Sequence, residues 1–362
     1  MTQAVGNEPG RPPAEIVSPA AARGPLLMEA VRLCKDFRLG RGRNAVLSAV
    51  RNVSFGLYRQ GVVALVGESG SGKSTVARLL AGQERLTSGE VHLGGARVTL
   101  KSRRSLRAYK REVQMVFQDP FASLNPVHTV RYHLERPVKL HRHPAGREAM
   151  EAELTELLGQ VRLLPAEQYL AKYPHELSGG QRQRVSIARA LAARPHVLLA
   201  DEPVSMLDVS IRLEMLQLLD ELRDSFQLAM LYITHDIASA RYFSEEIIVM
   251  YAGEIVERGP AEELTQYPAH PYTQLLVASA PDPDELGGKL RTGAGRNDRR
   301  SGSALRSQLG CRFSERCPFA EQRCREESPP LVRISQSRVA ACWRIEVAAP
   351  RLFVRNEREG RN

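Results

Sequence analysis

Two glycine-rich segments of this chain have the residue types and spacing to hold a polyphosphate. The first, Gly67-Glu68-Ser69-Gly70-Ser71-Gly72-Lys73-Ser74-Thr75, fits G-x-x-x-x-G-K-[ST]. Its glycines let backbone N–H groups approach phosphate oxygens closely, and a following helix adds partial positive charge. Lys73 would neutralise the β- and γ-phosphates, and the Ser74 hydroxyl would take a coordination position on Mg²⁺. The second segment is Leu177-Ser178-Gly179-Gly180-Gln181. Ser178 is a good N-cap, and its two glycines expose amides at the positive end of a helix expected over Gln181–Ala192. Two anion sites on one domain make sense if each nucleotide is sandwiched between two domains, one giving each segment.

The elements around these segments read as an α/β core. Val62-Val63-Ala64-Leu65-Val66 is a buried strand and Val76-Ala77-Arg78-Leu79-Leu80 has helical spacing, so the first segment is a strand-to-helix turn. Val197-Leu198-Leu199-Ala200 and Ala229-Met230-Leu231-Tyr232-Ile233 are strands of the parallel, doubly buried type, with helices around Asp208–Arg223 and Ile237–Phe243. Before the glycine loop, residues from Leu27 to Gly61 alternate as strands, and Gly89–Gly95 reads as a hairpin. Val113–Phe117 is a further strand, and amphipathic helices fill much of Val130–Ala171. No internal repeat is evident, so there is one nucleotide domain and not a tandem pair.

Composition narrows the class. The chain has 362 residues, 43% of them hydrophobic and 25% charged, which is enough for a buried core and two or three domains. No apolar run approaches the ~18–20 residues that span a bilayer. Met1–Arg23 lacks the cation-led apolar stretch of a signal peptide and is expected to be a disordered tail in a cytoplasmic protein. Gly287–Arg306 reads as a linker. The net charge of +10 collects in Lys101–Arg107, in Lys110-Arg111 and between Arg291 and Arg306. No nucleic-acid motif with interleaved aromatics accompanies these cations, so solvated surface and a face toward anionic lipid are the two readings.

With these motifs the chain resembles the ATP-binding subunits of ABC transporters. Between Leu27 and Thr273 the family's motifs occur in order: the glycine loop, the Gln118 loop, the Leu177–Gln181 signature, Val197-Leu198-Leu199-Ala200-Asp201-Glu202-Pro203, Ser205-Met206-Leu207-Asp208 and Ile233-Thr234-His235-Asp236. The resemblance implies a P-loop NTPase core with an antiparallel β subdomain, an inserted helical subdomain and a small C-terminal extension that contains cysteines. It implies ATP and Mg²⁺, with Asp201, Ser74 and Gln118 toward the metal, Glu202 as general base, and His235 at the γ-phosphate fixing Glu202 and the water. Asp208 belongs to the dimer seam. Phe37 is the aromatic expected to stack on adenine, with a core phenylalanine as its alternative; a satisfied structural histidine is the alternative for His235. The chain departs from the family in carrying Val204 and Met206 where threonine and alanine are usual.

Three features narrow the resemblance to the oligopeptide, dipeptide and nickel importers. One is the extended loop Val116-Phe117-Gln118-Asp119-Pro120-Phe121-Ala122-Ser123-Leu124-Asn125-Pro126, and another is His270-Pro271-Tyr272-Thr273. The third is the set Cys311, Cys317, Cys324 and Cys342, without a C-x-x-C pair. A reducing cytoplasm disfavours disulfides, and similar cysteine sets in this family are associated with a [4Fe–4S] cluster; zinc and plain buried thiols are the alternatives. Cys34 stands apart as a core residue. The expected domains are a tail over 1–26, the nucleotide-binding domain over 27–262 with its helical subdomain at about 119–190, the extension over 263–350 and a tail over 351–362. The resemblance implies a peripheral ATPase on the cytoplasmic face of the cell membrane that powers peptide import, with nickel or glutathione import and a non-transport ABC ATPase as alternatives. It works with a second, different ATP-binding chain, two transmembrane permease subunits and an extracytoplasmic solute-binding protein, and without nucleic acid.

Overall fold

The computed structural model describes residues 24–38, 46–280 and 309–349. Residues 1–23 of the expected 1–26 tail, the expected tail over 351–362 and the Gly287–Arg306 linker lie outside the described residues, while Leu26 already belongs to a strand.

Five consecutive buried residues, Val62–Val66, form strand β3, and their alternation sets the architecture. Val62, Ala64 and Val66 face one apolar cluster while Val63 and Leu65 face another, the double burial expected of a central parallel strand. β3 pairs in parallel with β8 (Ala229–Thr234) on one side and β9 (Glu246–Tyr251) on the other. Beyond β8 come β7 (Val197–Asp201) and then β6 (Val113–Val116), again parallel. Beyond β9 the pairing turns antiparallel through β10 (Glu254–Pro260), β12 (Val339–Ala340) and β11 (Val332–Arg333). Among the described residues the sheet order is β11-β12-β10-β9-β3-β8-β7-β6.

A second, antiparallel sheet in the order β2-β1-β4-β5 is built from β1 (Leu26–Arg38), β2 (Val46–Tyr58), β4 (Ser88–Leu93) and β5 (Ala96–Arg97). The expected hairpin is β4 and β5, turning at Gly94-Gly95. Both glycines have positive φ (57° and 78°), as the tight turns that match strand twist require. Met28, Leu33, Val53 and Phe55 of this sheet share a core with Val63, Leu65 and α1 (Lys73–Leu80). Helix α2 (Arg103–Glu112), which carries much of the basic run, is capped by a reciprocal Ser102–Ser105 box and leads directly into β6.

Between β6 and β7 the chain inserts helices α3 (Pro120–Ser123), α4 (Val130–His141), α5 (Gly146–Gln160), α6 (Ala166–Leu170) and α7 (Gly179–Leu191). Leu154, Leu157 and Leu158 recur at helical spacing and pack with Leu134, Val138 and Val185 in the cluster that Val62 and Val66 face. Helices α8 (Val209–Phe226) and α9 (Ile237–Phe243) pack against the same side of the main sheet. The α/β core with an antiparallel sheet, inserted helices and a terminal cysteine segment is thus the fold observed. No helix among the described residues is long and apolar enough to cross a membrane.

The main sheet runs on into the C-terminal segment, which also contains α10 (Ala261–Gln266), α11 (Pro271–Ser279), α12 (Gln322–Glu326) and α13 (Ile345–Ala348). Glu257 and Arg258 of β10 pair with Ala340 and Val339 of β12. Glu257 is fully buried, and burial pushes its carboxyl pKa up while Arg338 opposes the shift. Arg338 Nη2 lies 2.8 Å away, and the N–H groups of Ala269 and His270 donate to the same carboxylate. Breaking such a buried pair from one side is costly, so this contact ties the segment to the core.

Candidate functional site

The carboxyl ends of β3, β6, β7 and β8 form a row, where open parallel sheets place their ligand crevice. β3 delivers the glycine loop. A β-carbon at Gly67 would lie 2.2 Å from the Met250 carbonyl oxygen, and one at Gly72 (φ +102°) would lie 2.4 Å from that of Ala49. The loop therefore packs against β2 and β9 with room for hydrogen only. Lys73 is buried, its Nζ donating to the carbonyls of Gly67 (2.6 Å) and Glu68 (2.9 Å). Burial lowers its pKa, and the carboxylates of Glu202 and Asp201 pull the other way. Ser74 Oγ donates to Asp201 Oδ1 at 3.0 Å. Burial raises the Asp201 pKa against that hydrogen bond. A hydroxyl and a carboxylate this close are the hard oxygen donors that a small divalent cation takes.

Two further loops converge on the carboxylate of Glu202. Glu202, just after β7, has φ +46° and donates its N–H to the Ile233 carbonyl at 2.9 Å. Its own carbonyl accepts from Ser205 Oγ at 3.0 Å. Glu202 Oε2 accepts from Gln118 Nε2 at 3.0 Å and lies 3.3 Å from His235 Nδ1. His235 is 58% exposed, so its ring is open to solvent on the side away from Glu202. Phe37, on β1, is half-buried with Lys35 Nζ 4.7 Å above its ring, and is not a core phenylalanine.

The remaining expected residues lie elsewhere. Ser178 and Gln181 form a reciprocal cap at the start of α7, with bonds of 3.3 and 3.0 Å. Gly180 is buried; a β-carbon there would meet Ile211 of α8 at 3.2 Å. Ser178 itself is exposed, and among the described residues no hydrogen bond joins this turn to the glycine loop. Asp208 is also exposed, at the start of α8, with no side-chain capping bond. Of the two departures, Val204 is buried and Met206 is 57% exposed beside Asp208. A broad groove opens next to the Gln118 loop, lined by Arg107, Gln118, Tyr132, Arg136, Lys139 and Asp201 among others.

Cys311, Cys317, Cys324 and Cys342 line a single small pocket with Phe313 and Trp343. Burial pushes the thiol pKa of Cys311 and Cys317 up, and that of Cys342 to about 11. Each of these three sulfurs accepts an N–H from the residue two places on, namely Phe313, Phe319 and Arg344. Among the described residues no group of three or more His, Cys, Asp or Glu is arranged to hold a metal ion. Cys34 stands apart on β1, accepting from the Asn52 N–H.

Sequence reasoning missed two contacts on the glycine loop. Arg316 pairs with both oxygens of Glu68, and the Tyr272 hydroxyl oxygen accepts the Glu68 N–H at 2.8 Å. Arg316 is 248 positions from its partner, and no local pattern marks a contact of that range.

The ABC transporter family model matches residues 50–205, and that of the oligopeptide/dipeptide transporter C-terminal region matches residues 256–324. The di/tripeptide transport ATP-binding protein DppF of Pseudomonas aeruginosa is 39% identical over 319 residues, covering 87% of this chain and 96% of that protein. The oligopeptide transport ATP-binding protein AppF of Bacillus subtilis is 40% identical over 305 residues, covering 82% and 89%. Among solved structures, a dimeric bacterial ABC transporter cassette is similar with a TM-score of 0.59 and 30% identity, over 65% of this chain and 99% of that one.

Proposed function

The chain belongs to the ATP-binding subunits of ABC transporters, in the branch with the oligopeptide/dipeptide C-terminal region, and we propose that it powers peptide uptake across the cytoplasmic membrane. The observation that carries the site assignment is the convergence of Gln118 and His235 on Glu202, beside the Ser74–Asp201 contact. In this reading Glu202 accepts a proton from water as the water oxygen attacks the γ-phosphorus and the bond to the β–γ bridging oxygen breaks, releasing ADP. His235 holds the Glu202 carboxylate and the water in line. Lys73 leaves its carbonyl partners for the β- and γ-phosphates. Ser74, Asp201 and Gln118 are the residues that would offer oxygen donors to Mg²⁺, which would supply neutralisation of phosphate charge there. Phe37 stacks on adenine.

The outward-facing Ser178 turn and Asp208 fit a partner surface. A second, different ATP-binding chain closes on them, so that the signature Leu177–Gln181 completes the partner's pocket. Two permease subunits dock at the groove beside Gln118, and an extracytoplasmic binding protein delivers the peptide. The protein then works as a peripheral subunit on the cytoplasmic face of the membrane.

For the four cysteines we infer a [4Fe–4S] cluster, with zinc and plain buried thiols as the alternatives. All four line one apolar pocket, and three of them, Cys311, Cys317 and Cys342, receive backbone N–H groups of the kind that hydrogen-bond cluster sulfurs. A cluster there would hold the short C-terminal elements together. Iron and acid-labile sulfide in anaerobically purified protein are the expected result, and stoichiometric zinc or metal-free thiols would contradict it. For the transport reading, subunits reconstituted in vesicles should take up di- or oligopeptides only with ATP inside the compartment that holds this chain. Uptake that ignores ATP would overturn it.

A further inference from the structure

The C-terminal segment reaches into the phosphate loop. Arg316, next to Cys317, pairs with Glu68 through two parallel contacts: Nη1 to Oε2 at 2.8 Å and Nη2 to Oε1 at 2.9 Å. Both side chains are 43% exposed, so water screens the attraction, but a two-point contact still fixes orientation. The guanidinium is also braced from behind. Its carbon lies 5.5 Å from the Phe313 ring centre and 5.8 Å from that of Tyr251. Tyr251, Tyr272 and Phe313 pack on one another with centroid separations of 4.6 to 5.5 Å, and the Tyr272 oxygen accepts the Glu68 N–H. Glu68 is thus held by backbone and side chain, and its carbonyl in turn holds Lys73 Nζ.

A carboxylate at the second position of a polyphosphate loop poses an electrostatic problem. Left free, it repels the incoming triphosphate and competes for Lys73. A guanidinium on both of its oxygens removes the free anion and keeps it pointed away.

We infer that Arg316 is a positioning residue for nucleotide binding: by neutralising and orienting Glu68, it makes the affinity of the phosphate loop for MgATP depend on the docked, cysteine-bearing C-terminal segment. The inference rests on the ATPase reading of the site. It is tested by titrating MgATP into the full-length chain as parent, Arg316→Ala, Arg316→Lys and the double variant Arg316→Ala/Glu68→Gln, with thermal unfolding of each recorded. Arg316→Ala should raise the Kd about fivefold, and in the assembled transporter should raise KM more than it lowers kcat. The double variant should recover most of the affinity, because it removes the anion that Arg316 had masked. Arg316→Lys should fall between parent and Arg316→Ala, keeping the charge without the fork. A parent-like Kd for Arg316→Ala, or a double variant as weak as the single one, would overturn the inference; the second is what a purely structural arginine gives, along with a lower Tm. A parent chain that binds no ATP would instead overturn the ATPase reading, and this inference with it.

Discussion

At the scale of single residues, Glu202 joins a backbone conformation that a β-carbon resists, φ +46°, to a carboxylate with two side-chain neighbours from other loops. The Ile233 carbonyl and Ser205 hydroxyl hold it there, and the result is a carboxylate aimed where Gln118 and His235 meet it. Glutamine at this position keeps the shape and an acceptor for Gln118 but takes no proton. Glu202→Gln should therefore cut ATP turnover of the assembled complex by ~100-fold or more while ATP still binds and the closed pair accumulates. Unchanged steady-state turnover would remove Glu202 from the base role. The residue types at this site were legible in the sequence because each motif carries its own local spacing. The Arg316–Glu68 pair was not, since two charged residues far apart in the chain look like ordinary surface until the fold brings them together.

Among the elements, β3, β7 and β8 were readable as strands because burial on both faces leaves an uninterrupted apolar run. β11 and β12 have two residues each, too few to show any period, and exist because β10 offers an open edge. Helix α11 was not read from the sequence, where His270-Pro271-Tyr272-Thr273 figured only as a family motif. His270 caps it, with Nδ1 accepting the Tyr272 N–H at 3.0 Å, and so helps set the tyrosine that holds Glu68. The imidazole is 1% exposed, and burial lowers its pKa to about 4. Folded, it stays neutral; unfolded, it takes a proton near 6.5. Its contribution is therefore complete above about pH 6.5, declines as the pH falls, and is lost below about 4, a span worth about 3 kcal/mol. Protonation would also remove the acceptor that caps α11. His270→Asn keeps a capping acceptor without titrating, so its Tm should fall less steeply between pH 6.5 and 4 than that of the parent. Equal slopes would show that His270 is not the acid-sensitive group.

For the molecule as a whole, the decisive arrangement is what one chain leaves incomplete. The glycine loop, Asp201, Glu202 and His235 gather at one end of the sheet, whereas Ser178 and Asp208 are exposed, and among the described residues the Ser178 side chain bonds only within its own turn. An exposed, pre-capped helix start is a ready anion site awaiting a phosphate on another chain. The β-sheet core could be foreseen because it obeys local rules, but a pairing partner is a property of surfaces, and on this chain the proposed seam shows only as exposed residues, Met206 and Asp208. The most direct measurement is ATP turnover per chain, recorded first for this chain alone at concentrations where sedimentation shows only monomer, then with its partner ATP-binding chain added. Turnover close to zero in the monomer, rising with pairing, is the predicted result. Full-rate turnover by the monomer would contradict the account.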